Sequence, residues 1–212
     1  LDRHKIIPDY LWITHYHDDH NGGAGMVMAK YKDLAKKDYK DFNTGDRLEF
    51  EKVNVTILNS YQDGIKSAAE NYKSLSMRME YNGFVYTHGG DIYGQNQNEI
   101  LQRYANNPDI LKTHVYHANH HFHGSVDVDY LKALDPYLFI VSGEEHIYGR
   151  GAYAQQVQRN VLPYLRSEHR RLIEDLLLLE TGHTVIRAAD GNNWNYETYK
   201  DVSAVIPFLK NN

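Results

Sequence analysis

Four short apolar runs in this chain each end abruptly in a cluster of polar, ligand-type residues. Tyr10 to Thr14 (YLWIT) opens into His15-Tyr16-His17-Asp18-Asp19-His20-Asn21-Gly22-Gly23, and Phe84 to Thr87 runs into His88-Gly89-Gly90-Asp91. Ile110 to Tyr116 leads to the histidines around His120, and Tyr137 to Ser142 leads to Gly143-Glu144-Glu145-His146. Short runs rich in β-branched and aromatic residues read as buried strands. Helical patterns lie between them: Ala24 to Lys37, a segment containing Glu99 to Tyr104, and Asp127 to Leu134, which stops before Pro136. Strands alternating with helices predict an α/β architecture, and open α/β sheets keep their chemistry at strand ends.

The remaining pattern fits that class. Val53 to Leu58 and Ser74 to Glu80 alternate as half-buried strands do, and Asn82-Gly83 is a strong two-residue hairpin signal. The tail predicts helices around Ala152 to Asn160 and up to Glu174, then strands at Leu176 to Glu180 and Thr184 to Ala188. At 212 residues the chain is expected to form one domain, 1–212, with 163–212 as a C-terminal helix and closing strands. The absence of cysteine excludes a disulfide framework, a thiolate metal site and a cysteine nucleophile. A net charge of −5 argues against a protein that coats nucleic acid through its phosphates, while leaving room for a local basic groove. No apolar run approaches the roughly 20 residues of a membrane span, and nothing in the sequence indicates a compartment.

His15-x-His17-x-Asp19-His20 carries the chemistry. Two histidines spaced i, i+2 just past a strand can turn both imidazoles toward one ion. Asp19 and His20, on the tight turn that follows, can reach a second. Imidazole with carboxylate suits Zn, Mn, Fe or Co. Gly22-Gly23 lets the backbone turn sharply into the next helix.

These residues also carry a resemblance. LWITHYHDDHNGG resembles the H-x-H-x-D-H-x-G-G signature of the metallo-β-lactamase fold. Asn71-Tyr72-Lys73-Ser74-Leu75, followed by MRMEYNGFVYTHGGD, is similar to the N-x-x-S-L…L-L-T-G-D stretch of its ComEC-type (competence DNA-uptake) branch. Asp109 to Lys112 leading into His120-His121 and Gly124-Ser125 resembles that branch's D-V-L-K-V-P-H-H-G-S. PYLFIVSGEEHIYG, Pro136 to Gly149, resembles its P…A-I-I-S…N-x-Y-G-H.

The resemblance implies a four-layer αββα sandwich holding two divalent metal ions, Zn or Mn. His15 and His17 would ligate one ion, Asp19 and His20 the other, with Asp91 bridging and His120 completing the second site. A hydroxide between the ions would attack a phosphodiester, most plausibly in nucleic acid. Asp19 and His146 are the candidate catalytic residues, His146 as a general acid or phosphate contact. A small ester, lactone or β-lactam is the alternative substrate, and a non-catalytic, metal-stabilised binding domain the alternative function.

The departures from the family pattern set further expectations. No histidine lies between His20 and His88, so the first ion would have a sparser shell that Asn71 or water fills. The stretch from His117 to Ser125 is two residues longer than the family's, which makes His120, His121 and His123 candidates in that order. His88 is a candidate to orient Asp91, and His114 is expected to be a packed residue. The family's fold opens with strands ahead of the metal motif, and only nine residues precede Tyr10 here. Those strands are therefore expected from a preceding segment or a partner chain.

Overall fold

The computed structural model describes residues 7–61, 69–122, 126–142, 159, 161, 163–164 and 183–199. The chain enters through β1 (Tyr10–Ile13), the single helical turn α1 (Asp18–Asn21), α2 (Ala24–Lys30) and β2 (Ala35–Asp38). Strands β3 (Arg47–Phe50), β4 (Val53–Asn59), β5 (Ser76–Tyr81) and β6 (Phe84–His88) follow. Helix α3 (Gly94–Arg103), β7 (Val115–His117), α4 (Val128–Leu134) and β8 (Leu138–Ile140) come next. The described part closes with β9 (His183–Ala188) and β10 (Trp194–Tyr199).

Six strands form one sheet in the order β3-β4-β5-β6-β7-β8. The first three pairings are antiparallel; β6, β7 and β8 run parallel, joined through α3 and α4. Residues alternate between faces along each strand. Tyr116 and Phe139 therefore face one side, where they pack with Ile100 of α3 and Tyr130, Leu131 and Leu134 of α4. Val115, Leu138 and Ile140 face the other, where the β9–β10 hairpin covers them with Ile186, Trp194 and Tyr196. On that same face Val55, Ile57 and Met77 pack against Tyr39, Phe42 and Trp12 of the N-terminal unit. The sheet is buried on both faces, helices on one side and strands on the other, and the protein is of the mixed α/β class expected.

Several local expectations hold for stated reasons. Asn82 and Gly83 both have positive φ, 47° and 82°, which is the type I′ hairpin geometry that matches strand twist. Asp127 caps α4, its carboxylate accepting from the Asp129 and Tyr130 amides at 2.8 and 3.2 Å.

Others need correction. The helix expected from Ala24 to Lys37 ends at Lys30, and Ala35–Asp38 instead pairs in parallel with β1. The sequence AKKD shows no alternation; the open edge of β1 selects the strand. The strand expected from Ile110 to Tyr116 is shorter. Pro108–Leu111 forms a 3-10 turn, and only Val115–His117 pairs with the sheet. Strand β10 was not expected, although Trp194 and Tyr196 alternate, and it is β10 that pairs with β9. The strand expected at Leu176 to Glu180 and the helices expected around 152–160 and up to Glu174 lie essentially outside the described residues. No helix among the described residues is long and apolar enough to cross a membrane.

Ile100 is fully buried between α3 and the sheet. Ile100→Ala is expected to destabilise the fold by roughly 2–5 kcal/mol, read from the shift in urea midpoint.

Candidate metal centre

Three chain segments converge at one end of the sheet. The first leaves β1. Thr14 O accepts from Leu75 N at 2.9 Å, tying the end of β1 to the segment ahead of β5, and His15 follows, fully buried. His17 is extended (φ −74°, ψ 148°) and begins the single turn α1, its carbonyl accepting from His20 N at 3.0 Å and Asn21 N at 2.9 Å. That turn carries Asp19 and His20. A Cβ at Gly22 would stand 2.5 Å from Asp18 O, so only glycine permits the turn to close.

The second segment leaves β6. Gly90 has φ +57°, and a Cβ there would meet Leu75 O and Ser74 Oγ at 2.5 Å. The glycine lets Asp91 swing inward, where its amide donates to Ser74 Oγ at 2.8 Å and the residue is only 2% exposed. His88 Nδ1 accepts from Gly90 N at 2.9 Å and so supports this turn.

The third segment leaves β7. His120, His121 and Phe122 are consecutive residues with positive φ (49°, 52° and 61°). Left-handed backbone in non-glycine residues costs about 1–2 kcal/mol each. Phe122, fully buried against Phe139, and the bond from His120 N to Gly90 O at 2.9 Å hold the strained turn.

The result is two overlapping donor groups: His15, His20 and Asp91, and Asp19, His20 and His121. His20 Nε2 lies 3.2 Å from Asp91 Oδ1, 3.4 Å from Asp19 Oδ2 and 3.1 Å from His121 Nε2. His15 Nε2 lies 3.5 Å from Asp91 Oδ2 and 3.1 Å from His17 Nδ1. His121 Nε2 lies 2.9 Å from Asp19 Oδ2 and 4.0 Å from Asp91 Oδ2. Donors about 2.0–2.2 Å from one tetrahedral ion stand roughly 3.3–3.6 Å apart, and these separations bracket that spacing. Asp91 Oδ1 is buried with no aligned hydrogen-bond donor among the described residues, although His20 Nε2 is 3.2 Å away. Imidazole nitrogens and carboxylates facing one another in this way could hold a divalent cation.

The electrostatics agree. Burial pushes His15 down to about 4 against the pull of Asp91, leaving a neutral ring at pH 7. Burial opposes the ionisation of Asp91, but His20, His15 and His120 together hold its carboxyl below the usual range. Burial pulls His20 down too, but Asp91 and Asp19 raise it above its ordinary value.

The sequence-derived candidates thus divide. His15, His20, Asp19 and Asp91 come together, and His17 stands beside His15 at the exposed rim. His121, ranked second for the last ligand, occupies the place expected of His120. His120 instead turns its Nε2 to Asn71 Nδ2 at 3.1 Å and packs edge-on to Tyr93. His123 and His146 lie outside the described residues. His114 accepts from Val85 N and stacks on Phe84, the packed role expected. Asn71, proposed for the sparser shell, donates to Tyr93 OH at 2.9 Å. Sequence reasoning missed Thr14 and Tyr93, and quoted Ser74 only as part of a motif. A hydroxyl at the end of an apolar strand carries no signal of its own.

No family model matches the chain. Hydroxyacylglutathione hydrolase from Serratia proteamaculans is 40% identical over 47 residues, 22% of this chain. The chain spans about 18% of that relative's length in the match. Igni18, a metallo hydrolase from the archaeon Ignicoccus hospitalis, is 15% identical with a TM-score of 0.43, covering 73% of each chain. The metallo-β-lactamase fold protein YhfI from Bacillus subtilis is 10% identical with a TM-score of 0.43, covering 65% of this chain and 66% of its own. Zn2+-bound PqqB from Methylobacterium extorquens is 12% identical with a TM-score of 0.29, covering 53% of this chain and 38% of its own.

Two outcomes are expected. Asp91→Asn should retain the fold but lower metal content, measured by elemental analysis beside circular dichroism; unchanged content would remove Asp91 from the centre. Burial also pushes His88 down to about 4, while the unfolded side chain titrates near 6.5. Between these values the unfolded chain takes up the proton first. Stability of the metal-free protein should therefore be complete above pH 6.5 and fall progressively as pH drops toward 4. Urea midpoints at pH 7, 5.5 and 4.5 check this, and His88→Gln should flatten the slope.

Proposed function

We propose that the protein is a metal-dependent hydrolase of the metallo-β-lactamase fold, acting on a phosphodiester through two divalent cations. The observation that carries this reading is the pair of His/Asp groups sharing His20 around the buried Asp91. His15, His17 and Asp91 would hold one cation, and Asp19, His20, His121 and Asp91 the other. Cations held there supply Lewis acidity and activate water for attack on an ester.

The chain's own residues define how a substrate meets the site. His15 and Asp91 form its buried floor. Asp19, with a side chain 58% exposed, and the exposed His17 form the open rim, so substrate approaches over α1. The neutral His15 leaves a lone pair for a cation, and the ionised Asp91 supplies the compensating charge. The phosphodiester is favoured by the Asn71-x-x-Ser74-Leu75 and Gly90-Asp91 stretches, which resemble the DNA-uptake branch. A second reading, hydrolysis of a small ester or thioester, is supported by the 47-residue stretch that is 40% identical to a hydroxyacylglutathione hydrolase.

The test loads chelator-free protein with Mn2+ or Zn2+ and offers single-stranded DNA, bis(p-nitrophenyl) phosphate, a lactone and a glutathione thioester. Cleavage of the phosphodiesters, abolished by EDTA and restored by metal, is expected. Turnover of the thioester or lactone alone would favour the second reading. No turnover by metal-loaded protein would leave a metal-stabilised binding domain.

A further inference from the structure

The two imidazoles that face Asp91 through Nε2 carry their other nitrogens to one hydroxyl. Thr14 Oγ1 lies 3.2 Å from His15 Nδ1 and 3.3 Å from His20 Nδ1. A neutral imidazole has one N–H and one lone pair, and the partner of one nitrogen decides what the other offers. A threonine hydroxyl has two acceptor lone pairs but a single hydrogen. It can therefore accept from both Nδ1–H groups at once, whereas it can donate to only one of them. With a cation between the rings and Asp91, both Nε2 lone pairs would face the ion, and Thr14 Oγ1 is placed to accept from both Nδ1–H groups.

The surroundings keep Thr14 in register. Its carbonyl accepts from Leu75 N at 2.9 Å, one residue beyond Ser74. Ser74 Oγ in turn accepts from Asp91 N at 2.8 Å and stands 3.3 Å from His15 Nδ1. His15 Nδ1 thus has two hydroxyls within reach, Thr14 and Ser74, while the hydroxyl within reach of His20 Nδ1 is Thr14 among the described residues. On the third imidazole the corresponding role falls to the backbone, since His121 Nδ1 meets Ser142 O. Each of the three rings that approach Asp91 through Nε2 has an oxygen behind its Nδ1.

We propose that Thr14 is a positioning residue for the metal centre, accepting Nδ1–H from both His15 and His20 and so holding the Nε2 of each toward the cation it would ligate. This rests on the metal-binding reading above. Outer partners of this kind typically contribute 10–100-fold to metal affinity. Because Ser74 shares the load at His15, loss of the threonine hydroxyl falls mainly on His20.

Thr14→Val keeps the shape and removes the acceptor; Thr14→Ser keeps the acceptor. Zinc affinity, measured by competition with a chromophoric chelator, is expected to fall about 10–100-fold in Thr14→Val and to stay within about threefold of wild type in Thr14→Ser. In zinc-loaded 15N-labelled protein, slowly exchanging Nδ1–H signals are expected from both His15 and His20. The His20 signal should be lost in Thr14→Val and the His15 signal retained. Thermal unfolding of the metal-free variants separates this from a merely structural role, because positioning moves metal affinity while leaving metal-free stability near wild type. Equal zinc affinity in Thr14→Val and wild type overturns the inference and leaves the metal reading standing. Wild-type protein that takes up no zinc overturns the metal reading itself. Should Thr14→Val fail to fold, the zinc-loaded wild type decides alone: absence of a protected His20 Nδ1–H overturns the proposal.

Discussion

A buried carboxylate organises this end of the molecule. Asp91 is 2% exposed, and a charge so placed is tolerated only when donors or cations surround it. Imidazole nitrogens approach it from two directions, His15 and His20 from the segment after β1 and His121 from the turn after β7, while the Ser74 hydroxyl accepts from its backbone amide. Much of the local backbone exists to meet this constraint. Gly90 is a glycine because a side chain would collide with Ser74 and Leu75, and the His120–Phe122 turn is left-handed because His121 must face inward. The parallel arrangement of β6 and β7 brings both turns out at the same end of the sheet.

Burial sorts the histidines by electrostatics. His15, His88 and His117 lie where desolvation keeps their rings neutral. His20, beside Asp91 and Asp19, is instead raised above its ordinary value. His88 and His117, neighbours across β6 and β7 with ring centroids 4.7 Å apart, form a neutral wall beside the ligand set. Tyr86 OH, 2.9 Å from His117 Nδ1, continues that wall into the sheet.

What the sequence disclosed and what it hid follow from the range of the forces involved. The strand-to-cluster junctions at His15, Asp91 and His120 were legible because hydrophobic periodicity and ligand-type residues are both local. So were the Asn82-Gly83 hairpin and the helix that begins at Asp127 and stops before Pro136, each decided by neighbouring residues. Strand β2 was not legible, since AKKD pairs only because β1 offers it an edge. The choice between His120 and His121 was hidden for a related reason. Adjacent residues point in different directions, and which one faces Asp91 is set by the docking of Phe122 in the distant core. Thr14 was invisible as well, because its two imidazole partners meet only after α1 has wound.

The left-handed turn at His120–Phe122 couples recognition to folding in a particular way. Phe122 is fully buried among Phe139, Leu131 and their neighbours, so the turn can relax only if that cluster comes apart. The orientation of His121 is therefore set by the packing of the hydrophobic core, so that a substitution loosening Phe122 would also displace an imidazole that faces Asp91.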